Sequence, residues 1–585
     1  MESQRQHPLV NGAAAPRAAP AGPRFPWLKN YPAGIDWSEK FKGKSLPTLL
    51  QETAAQFPNR ACTNFLGKEL TFAKVQQLVD CVAAGLQRRG VKEGVNVGLL
   101  LPNTPTFVIF YFGILKAGGT VVNFNPLYTV DELAGQAKDA QPHLVVTLDL
   151  KALFPKVEAM LASGVVPNAV VCSFAELLPV VKSGLFRLFK SSDVVSWRSS
   201  PQAAKIIAYK DLIDNDGKPA PVAIDPDEDV AVLQYTGGTT GTPKGAMLTH
   251  SNLTINVEQL RRWAPGLVSG EEQIMGILPF FHVFGMTVVM NFAIAIGATM
   301  ILMPRFELQQ ALKMIRSLKP TLMPGVPTLY NALLTSPSLQ KGNLSSLKFC
   351  FSGGAPLPIE VKRSFEAASG CALVEGYGLS ETSPVTNANP LVGVNKSGSI
   401  GIPIPATRLS IRSLEDPSKE LPLGENGELC IAGPQIMKGY WKRPKETADA
   451  MVGEFFRTGD VGYMDAEGYT FIVDRMKDII ICSGFNVYPR RIEEAIYEFP
   501  AVQEVTVVGM PDSYRGEAPK AFVKLREGMQ ATQGDILKFL EHKLSKIEMP
   551  AEIEFRDELP KTLVGKLSKK ELRAEMKQAA NVRKS

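Results

Sequence analysis

Residues 235 to 245 read Tyr-Thr-Gly-Gly-Thr-Thr-Gly-Thr-Pro-Lys-Gly, and they follow an apolar run from Val230 to Leu233. The apolar run is typical of a buried strand. The ten residues from 236 to 245 hold four glycines, four threonines and one lysine. Glycine lets the backbone approach a ligand closely and turn its N–H groups inward, threonine hydroxyls add donors, and Lys244 adds a mobile positive charge. The pattern predicts a strand that ends in a polyphosphate-binding loop.

The order of residues in this loop separates it from a Walker A loop. Lys244 stands between Pro243 and Gly245, whereas a Walker A lysine stands in a Gly-Lys-Ser/Thr sequence. The alternative interpretation is a surface turn rich in glycine and threonine, but surface turns seldom need so many hydroxyls.

Length and composition limit the classes of protein that the chain can belong to. With 585 residues it has more than one domain, and 45% hydrophobic and 21% charged residues are ordinary for a globular protein with a large core. The net charge of +6 is compatible with anionic ligands or an anionic membrane surface. It does not indicate nucleic-acid binding, and no nucleic-acid-binding motif stands out.

The cysteines and the N-terminus indicate a reducing compartment. The seven cysteines are scattered singly, without a CxxC pair or a His/Cys cluster that would indicate zinc. Residues 1–24 are rich in Ala, Pro, Arg and Gln, lack an apolar signal core, and are predicted to be a disordered leader.

An alternation of strands and helices predicts the architecture of the first part of the chain. We expect a strand over 96–101, a helix that Thr104 caps and that runs to Ala117, and a strand over 120–124. Strand, helix and strand within about thirty residues imply a parallel pair with a crossover helix. The pattern recurs around 285–303 and 347–375. The fold class is therefore α/β, with doubly wound mixed sheets in a large N-terminal domain and ligands at the carboxyl ends of strands.

The chain after Asp478 has a different pattern, typical of a small α+β domain. Pro489 opens a helix with apolar residues at helical spacing, and two strands, a second helix and a short strand near Phe555 follow. We expect a disordered leader over 1–24, an N-terminal domain over 25–476, and a mobile C-terminal domain over 477–585 that is joined by a hinge.

Two apolar stretches raise the question of membrane contact. Residues 274–303 contain no Asp, Glu, Lys or Arg, but breaks at Pro279, Gly285 and Gly297 favour strand, buried helix and strand over a transmembrane helix. Residues 177–190 combine large apolar residues with basic charges only, which suits an anionic membrane surface. The interpretation we favour for 177–190 is a helix packed on the body of the protein with its lysines in solvent.

Two further segments offer chemistry that suits a nucleotide. Phe351-Ser-Gly-Gly-Ala-Pro356 lies between a predicted strand and helix, where small residues let a flat ring approach the backbone. Glu375-Gly-Tyr-Gly-Leu-Ser-Glu-Thr382 places Tyr377 between two glycines, so that its ring can stack on a base. Glu381 supplies a hard oxygen ligand for Mg²⁺. A strand-to-helix turn and a surface loop are the alternatives for these segments taken singly.

Taken in order from Tyr235 to Lys566, these motifs and three more resemble those of the adenylate-forming superfamily, which includes acyl-CoA synthetases, luciferases and peptide-synthetase adenylation domains. The three are Arg457-Thr-Gly-Asp460 with Asp474-Arg-Met-Lys-Asp478, Ser483-Gly-Phe-Asn-Val-Tyr-Pro489, and Pro560-Lys-Thr-Leu-Val-Gly-Lys566. The segment Leu278-Pro-Phe-Phe-His-Val-Phe-Gly285 resembles long-chain fatty acid–CoA ligases of the bacterial type.

The resemblance implies roles for named residues. Lys566 would be essential for adenylation, Lys477 would be the hinge, and Glu381 with Thr236 would bind Mg²⁺. The residues implied in ATP binding are Thr236, Gly237, Gly238, Thr239, Thr240, Gly241, Lys244, Gly354, Ala355, Pro356, Glu375, Gly376, Tyr377, Gly378, Ser380, Asp460, Arg475 and Lys566. Those implied in acyl binding are His282, Phe284, Gly285 and Gly353, and those implied in CoA binding are Gly484, Phe485 and Asn486. For His282, a core histidine with satisfied hydrogen bonds is the alternative.

The resemblance implies a two-step reaction that uses ATP, Mg²⁺ and CoA. A medium- or long-chain fatty acid would be activated to acyl-AMP with release of pyrophosphate, and CoA would then form acyl-CoA after the C-terminal domain rotates about Lys477. The expected location is cytoplasmic, at most peripheral on a membrane. A homodimer is one assembly that the sequence allows.

Four alternative functions remain open at this point. The chain could load a carrier protein or another thiol, or it could be an aryl-acid (coumarate-like) CoA ligase. A membrane transporter built on 274–303 is disfavoured by the breaks in that segment. A non-catalytic nucleotide sensor is disfavoured because Glu381, Asp460, Arg475 and Lys566 are all present.

Overall fold

The structure is a computed structural model that describes residues 25–236, 243–339, 342, 344–512, 514–561 and 567–582, the last six of these by their backbone alone. The predicted leader over 1–24 lies outside this part of the chain. So do five of the residues assigned to the phosphate loop, Gly237 to Gly241, and the predicted catalytic Lys566.

The strands alternate with helices through most of the N-terminal part. In chain order the strands are β1 (Ala61–Phe65), β2 (Lys68–Thr71), β3 (Asn96–Leu99), β4 (Thr120–Asn123), β5 (Leu144–Leu148), β6 (Ala169–Cys172), β7 (Ile206–Ala208), β8 (Val230–Thr236), β9 (Lys244–Thr249), β10 (Gln273–Gly276), β11 (Thr299–Leu302), β12 (Leu322–Gly325), β13 (Phe349–Ser352), β14 (Ala372–Gly378), β15 (Val385–Ala388), β16 (Ile402–Pro403), β17 (Arg408–Arg412), β18 (Gly427–Ala432), β19 (Gly439–Tyr440), β20 (Met451–Val452), β21 (Phe455–Met464), β22 (Thr470–Arg475), β23 (Ile480–Cys482), β24 (Phe485–Val487), β25 (Val502–Asp512), β26 (Gly516–Leu525) and β27 (Glu552–Phe555).

The α-helices cover both main sheets and the C-terminal sheet. In chain order they are α1 (Leu46–Gln56), α2 (Phe72–Arg88), α3 (Pro105–Lys116), α4 (Val130–Ala140), α5 (Phe154–Ala162), α6 (Val180–Phe189), α7 (Tyr209–Ile213), α8 (His250–Trp263), α9 (Phe292–Ile296), α10 (Leu308–Leu318), α11 (Pro327–Leu334), α12 (Ile359–Ser369), α13 (Pro444–Asp449), α14 (Pro489–Tyr497), α15 (Gln533–Leu540) and α16 (Lys569–Val582).

Within the described part of the chain, the strands form four sheets. Sheet A has the order β16-β15-β14-β13-β12-β10-β11-β1-β2, and sheet B has the order β19-β9-β8-β4-β3-β5-β6-β7. Both are parallel in the middle. Sheet A is antiparallel toward both edges, as in β14–β15 and β1–β2, whereas sheet B is antiparallel only toward the edge with β9 and β19 and stays parallel to β7 at the other. Sheet C contains β17, β18, β20, β21 and β22, and sheet D contains β23 to β27. The predicted α/β class with mixed sheets and a small α+β C-terminal part is confirmed.

The predicted strands and helices are found with small differences at their ends. Helix α3 begins at Pro105 and Thr104 occupies the capping position, but its side chain makes no capping hydrogen bond. Instead its hydroxyl donates to the carbonyl of Pro102. The backbone geometry at Thr104, with Pro105 at the first turn, therefore starts this helix without a side-chain cap.

Sheet D and its helices have a hydrophobic core of their own. Ile492 and Ile496 on α14 are buried against strand residues of β25 and β26, such as Val505 and Val523. Phe499 also packs on this core, although it lies beyond the end of α14. This arrangement supports the predicted boundary near residue 477, which stays a prediction.

Residues 274–303 fold as the breaks in their sequence predict. Strand β10 is followed by a loop, a π-helical segment over Gly285–Asn291, helix α9 and strand β11. The segment from 285 to 291 is fully buried inside the protein. Among the described residues, no helix combines the length and the apolar character needed to cross a bilayer.

The prediction that residues 177–190 form a helix packed on the protein body is wrong for most of the apolar residues in that stretch. Helix α6 forms there, but none of its residues is buried. Phe186 contacts the ring of Phe174 with centroids 5.1 Å apart, and Lys182 Nζ donates to the carbonyl of Leu66 at 2.6 Å. The other large apolar side chains of the helix point into solvent.

Candidate functional site

The predicted phosphate loop joins two strands of sheet B. Strand β8 ends at Thr236, and the chain returns as β9 from Lys244, antiparallel to β8, with Thr236 paired to Lys244 and Tyr235 paired to Gly245. The buried strand before the loop is confirmed, and the returning strand was not predicted. A side chain on Gly245 would come within 3.2 Å of the Tyr235 ring. Gly245 therefore allows the two strands to approach closely at the base of the loop.

Lys244 and Glu381 meet at the ring of Tyr440. The Lys244 ammonium lies 5.0 Å from the centroid of that ring, and the Tyr440 hydroxyl donates to Glu381 Oε1 at 2.8 Å. Tyr440 reaches this position because β19 pairs with β9 on the edge of sheet B. The backbone also holds Glu381, since its carbonyl accepts from the Met437 N–H at 2.8 Å. We call Lys244, Tyr440 and Glu381 the carboxylate cluster.

Burial decides the electrostatics of Glu381. The residue is only 9% exposed, and burial raises the pKa of its carboxyl, although the hydrogen bond from Tyr440 and the charge of Arg475 oppose this effect. A buried carboxylate is stabilised by a nearby cation. A hard carboxylate oxygen bound by the tyrosine whose ring Lys244 contacts therefore fits Mg²⁺ held by one carboxylate and by phosphates. The described residues contain no cluster of three or more His, Cys, Asp or Glu that could bind a metal.

Asp460 lies between Tyr377 and Arg475. The Tyr377 hydroxyl donates to Asp460 Oδ2 at 2.5 Å, and Arg475 Nε lies 3.0 Å from Asp460 Oδ1. Asp460 and Arg475 are directly opposite on the neighbouring strands β21 and β22. Asp460 is buried, while the Arg475 side chain is half-exposed. We call these three residues the aspartate cluster. Asp460 and Arg475 lie 83 and 98 residues after Tyr377 in sequence, so the fold brings distant segments together here.

The Ser352–Pro356 and Glu375–Gly378 segments meet at the carboxyl ends of two parallel strands. Ser352 on β13 pairs with Glu375 on β14, so the loop with Gly354, Ala355 and Pro356 starts beside Gly376. Glu375 Oε1 accepts from the Leu357 N–H at 3.3 Å, and burial raises the pKa of this carboxyl to about 7. A side chain on Gly378 would stand 1.9 Å from the Pro384 carbonyl, so glycine permits the tight chain path before Ser380.

The predicted acyl segment adjoins the nucleotide segments. A side chain on Gly353 would come within 3.0 Å of the Phe284 ring and 3.5 Å of the Gly376 carbonyl. Phe284 is partly buried, and its N–H donates to His282 Nδ1 at 3.2 Å. The structure shows one reason why a glycine stands at position 285. The carbonyls of Leu278 and Pro279 lie within 2.6 Å of where its side chain would begin, so Gly285 allows close backbone packing.

Three positions that support this region were missed in the sequence. Asn103 donates to the carbonyls of Gly276 and Leu278 and accepts from the Phe280 N–H, so it fixes the start of the acyl segment. Gln234 donates to the Phe281 carbonyl at 3.0 Å. Tyr440 is the third. No local motif marks them, because their partners are between 47 (Gln234 to Phe281) and 196 (Tyr440 to Lys244) residues away in sequence.

The predicted hinge is a short 3₁₀ turn between β22 and β23, which contains Lys477. Burial lowers the pKa of the Lys477 ammonium, and the charge of Arg475 acts in the same direction. One of the following contacts crosses this turn, and the other fixes the end of the turn to the C-terminal part. Asp474 accepts from the Arg490 N–H at 2.9 Å, and Arg573 lies 2.7 Å from Asp478.

The predicted CoA-binding residues stand in and beside the turn of an exposed hairpin. Gly484 has φ of +80° and stands in the turn between β23 and β24, with open space where a side chain would be. Phe485 is 62% exposed, and Asn486 is also exposed. The tip of this hairpin therefore faces solvent.

Comparison with known proteins places these features in a family. Residues 50–441 match the family model for AMP-binding enzymes, and residues 491–566 match the model for the AMP-binding enzyme C-terminal domain. A long-chain-fatty-acid–CoA ligase of Bacillus subtilis (strain 168) is 46% identical over 94% of this chain and 97% of its own length. A ligase with the same name from Escherichia coli O6:H1 is 36% identical over 94% of this chain and 98% of its own.

A solved structure agrees with these matches. The crystal structure of ATP-bound MatB from Rhodopseudomonas palustris superposes with a TM-score of 0.80 at 29% identity, covering 91% of this chain and 99% of that chain.

Proposed function

The chain belongs to the family of AMP-binding enzymes, and on this premise we propose that it is an ATP-dependent ligase that joins medium- or long-chain fatty acids to CoA. The observation that carries the adenylation step is the carboxylate cluster, which places the lysine of the phosphate loop and a buried carboxylate on one tyrosine. The fatty acid is proposed from the ligases named above, which resemble this chain over nearly its whole length.

In the first half-reaction, an oxygen of the fatty acid carboxylate attacks the α-phosphorus of ATP, and the bond to pyrophosphate breaks. All the reacting groups are anionic, so catalysis requires neutralisation of charge and in-line positioning. Lys244 would meet the β- and γ-phosphates together with Thr236 and with the loop residues 237–241, which lie outside the described part of the chain. Mg²⁺, when bound, would neutralise phosphate charge beside Glu381 and Thr236.

The aspartate cluster suits the ribose of ATP. Asp460 presents carboxylate oxygens that can accept from two ribose hydroxyls, and the ion pair with Arg475 orients the carboxylate. The Tyr377 hydroxyl is held by Asp460, so its ring has a fixed position and would offer a surface on which the adenine can stack. Gly354, Ala355 and Pro356 would line the other side of the base, with Glu375, Gly376 and Gly378 shaping the strand end and Ser380 starting the turn to Glu381.

In the second half-reaction, the thiol of CoA loses its proton, its sulfur attacks the acyl carbon, and AMP leaves. Lys566, implied in the first step, and the Gly484 hairpin, implied in the second, belong to the same C-terminal part of the chain. The exposure of Phe485 supports a rotation about Lys477 that would bring the hairpin to the site. Gly484, Phe485 and Asn486 would then border the path of the pantetheine arm.

The acyl chain would enter beside His282, Phe284 and Gly353. The ring of Phe284 against Gly353 supports this assignment, because it joins the apolar segment to the nucleotide segment. Two alternatives keep the same first step. An aryl-acid ligase would bind the aromatic ring of its substrate beside the same residues, Phe284 and Gly353. A carrier-protein-loading enzyme would use a protein-bound thiol in place of CoA.

The protein is proposed to act in the cytoplasm, peripherally at an anionic membrane surface. Its seven cysteines, all of them within the described residues, are free thiols, which suits a reducing compartment. A homodimer is a further proposal, which light scattering after gel filtration tests.

The experiment that tests the function measures pyrophosphate release over a panel of carboxylic acids, with and without CoA. We expect release that depends on the acid, and acyl-CoA only when CoA is present. Release that needs no acid, or thioester formation only on an added carrier protein, would contradict the proposal.

A further inference from the structure

Helix α6 presents an apolar face away from the protein. Val181, Leu185, Leu188 and Phe189 stand at positions i, i+4, i+7 and i+8, which share one side of a helix. Their exposed fractions are 75%, 51%, 71% and 72%. Isolated exposed apolar residues are ordinary, but four on one face of one short helix form a patch that marks an interaction surface.

The helix is fixed to the protein through Phe186 and Lys182, which lie on the side next to this face. Phe186 contacts the ring of Phe174, which in turn contacts the fully buried ring of Phe65 with centroids 6.1 Å apart. Lys182 is bound to the carbonyl of Leu66. The apolar face is therefore displayed on an anchored helix, and no rearrangement is needed to expose it.

The charges around the face have one sign. Between 177 and 192 the charged residues are Lys182, Arg187 and Lys190, and all three are exposed. Both acidic residues that border this stretch are paired with lysines, one of them with Lys190 of the stretch itself. Glu176 lies 2.9 Å from Lys210, and Asp193 lies 4.0 Å from Lys190. An occupant of this surface must therefore be apolar at the contact and negatively charged around it.

We propose that α6 docks the protein on an anionic lipid bilayer, lying in the plane of the interface with Val181, Leu185, Leu188 and Phe189 among the acyl chains. Arg187 and Lys190 would then meet the anionic headgroups. A second copy of the chain fits this surface less well, because two-fold packing on α6 would bring positive charges against positive charges. Helix α6 would thus be the contact surface for the peripheral location given under the proposed function, on which this role rests, and it would act in binding and not in catalysis.

The test is cosedimentation of the full chain with vesicles of phosphatidylcholine alone or mixed in equal parts with phosphatidylglycerol. We expect binding to the anionic vesicles that weakens as salt is added. The double variant Leu188→Glu with Phe189→Glu should lower the partition coefficient at least about tenfold, since it replaces by charge the apolar area that the bilayer would bury. Arg187→Glu with Lys190→Glu should lower it by more than about tenfold on anionic vesicles only, because each basic residue near such a surface strengthens binding several-fold.

A matched control tests whether vesicle binding depends on α6 or on any exposed apolar side chain. Leu423→Glu with Met529→Glu changes two residues that are 43% and 48% exposed elsewhere on the molecule, and it should leave binding within about twofold. Melting curves and isotope exchange between pyrophosphate and ATP with a water-soluble acid should be the same for all variants. A loss of vesicle binding with unchanged exchange would then concern membrane docking alone, and a chain without exchange activity would contradict the proposed function instead.

Three results would overturn the proposal. The first is absence of binding to anionic vesicles by the unaltered chain. The second is equal binding by the Leu188→Glu, Phe189→Glu variant. The third is a dimer in solution that this variant converts to monomers, which would assign the face to a second copy.

Discussion

The hydroxyl of Tyr440 donates to Glu381 Oε1 at 2.8 Å, while the ammonium of Lys244 stands 5.0 Å from the centroid of the same tyrosine ring. One side chain thus orients the carboxylate proposed to hold Mg²⁺ and borders the lysine proposed to hold phosphates. Tyr440 is a positioning residue, because it touches both groups and is not itself assigned to the reacting atoms.

Tyr440→Phe should raise the Mg²⁺ concentration needed for half-maximal pyrophosphate release and lower the rate about tenfold. The substitution keeps the ring beside Lys244 and removes a hydrogen bond to a buried charged group, which is worth about 1.5–3 kcal/mol. Glu381→Ala should raise the Mg²⁺ requirement further. Tyr463→Phe, which alters a tyrosine stacked on Phe471 in sheet C, is the matched control. A magnesium dependence unchanged in Tyr440→Phe and Glu381→Ala would reject the metal assignment.

Lys566→Ala should lower pyrophosphate release about 10²- to 10³-fold, the usual cost of losing one preorganised charge at a reacting centre. Thioester formation from supplied acyl-AMP should be spared, since Lys566 is assigned only to the first half-reaction. The two rates are measured separately, by pyrophosphate release and by acyl-CoA formation. Equal losses in both would contradict the assignment of the two steps to two arrangements of the C-terminal domain.

Lys477→Pro should block acyl-CoA formation more than adenylation. Proline restricts the backbone of the turn between β22 and β23, about which the C-terminal part is proposed to rotate. Isotope exchange between pyrophosphate and ATP should persist. Lys477→Ala, which removes the side chain but leaves the backbone free, should keep both activities closer to those of the unaltered chain. The hinge assignment fails if proline abolishes both activities while the melting curve stays unchanged.

Glu375→Gln should change how stability depends on pH. Burial raises the pKa of Glu375 from 4.5 in the unfolded chain to about 7, so the folded state holds a proton that the unfolded state has lost. The free energy of unfolding therefore decreases as pH rises from about 4.5 to 7, by at most about 3 kcal/mol from this group.

Glutamine keeps the acceptor for the Leu357 N–H and removes this titration. The variant should match the unaltered chain near pH 4.5 and be more stable at pH 8, as measured by the melting temperature. The exposed Glu425→Gln serves as the control and should show no such difference. A gap between Glu375→Gln and the unaltered chain that does not widen with pH would show that burial does not shift this carboxyl.

The parts of the fold and site that could be predicted are those whose signal is local. Val230 to Leu233 is a contiguous apolar run before a glycine-rich loop, and the breaks at Pro279 and Gly297 lie within the segment that they interrupt. Tyr440, Asn103 and Gln234 could not be found in this way, because each acts on a segment far away in the chain. Their roles arise only when β19 pairs with β9 and when the end of β8 meets the loop after β10.

Helix α6 shows the other limit of sequence reasoning. Its composition predicts an amphipathic helix, but the direction of the apolar face depends on which side is anchored. Phe186 and Lys182 anchor the helix through a neighbouring side, so Leu185 and Leu188, which the sequence assigns to the protein body, point into solvent. The spacing of apolar residues identifies the apolar face of a helix, but it does not show whether that face contacts the protein or the solvent.

The measurement that tests the central claim most directly is kcat/KM over straight-chain saturated acids from acetate to long chains, beside benzoate-like and coumarate-like acids. Each buried methylene contributes about 0.8 kcal/mol, so kcat/KM should rise several-fold per added carbon until the pocket beside Phe284 and Gly353 is full. We predict a maximum at a medium or long chain, with aryl acids well below it. A maximum at acetate, or a clear preference for an aryl acid, would contradict the assignment to fatty acids.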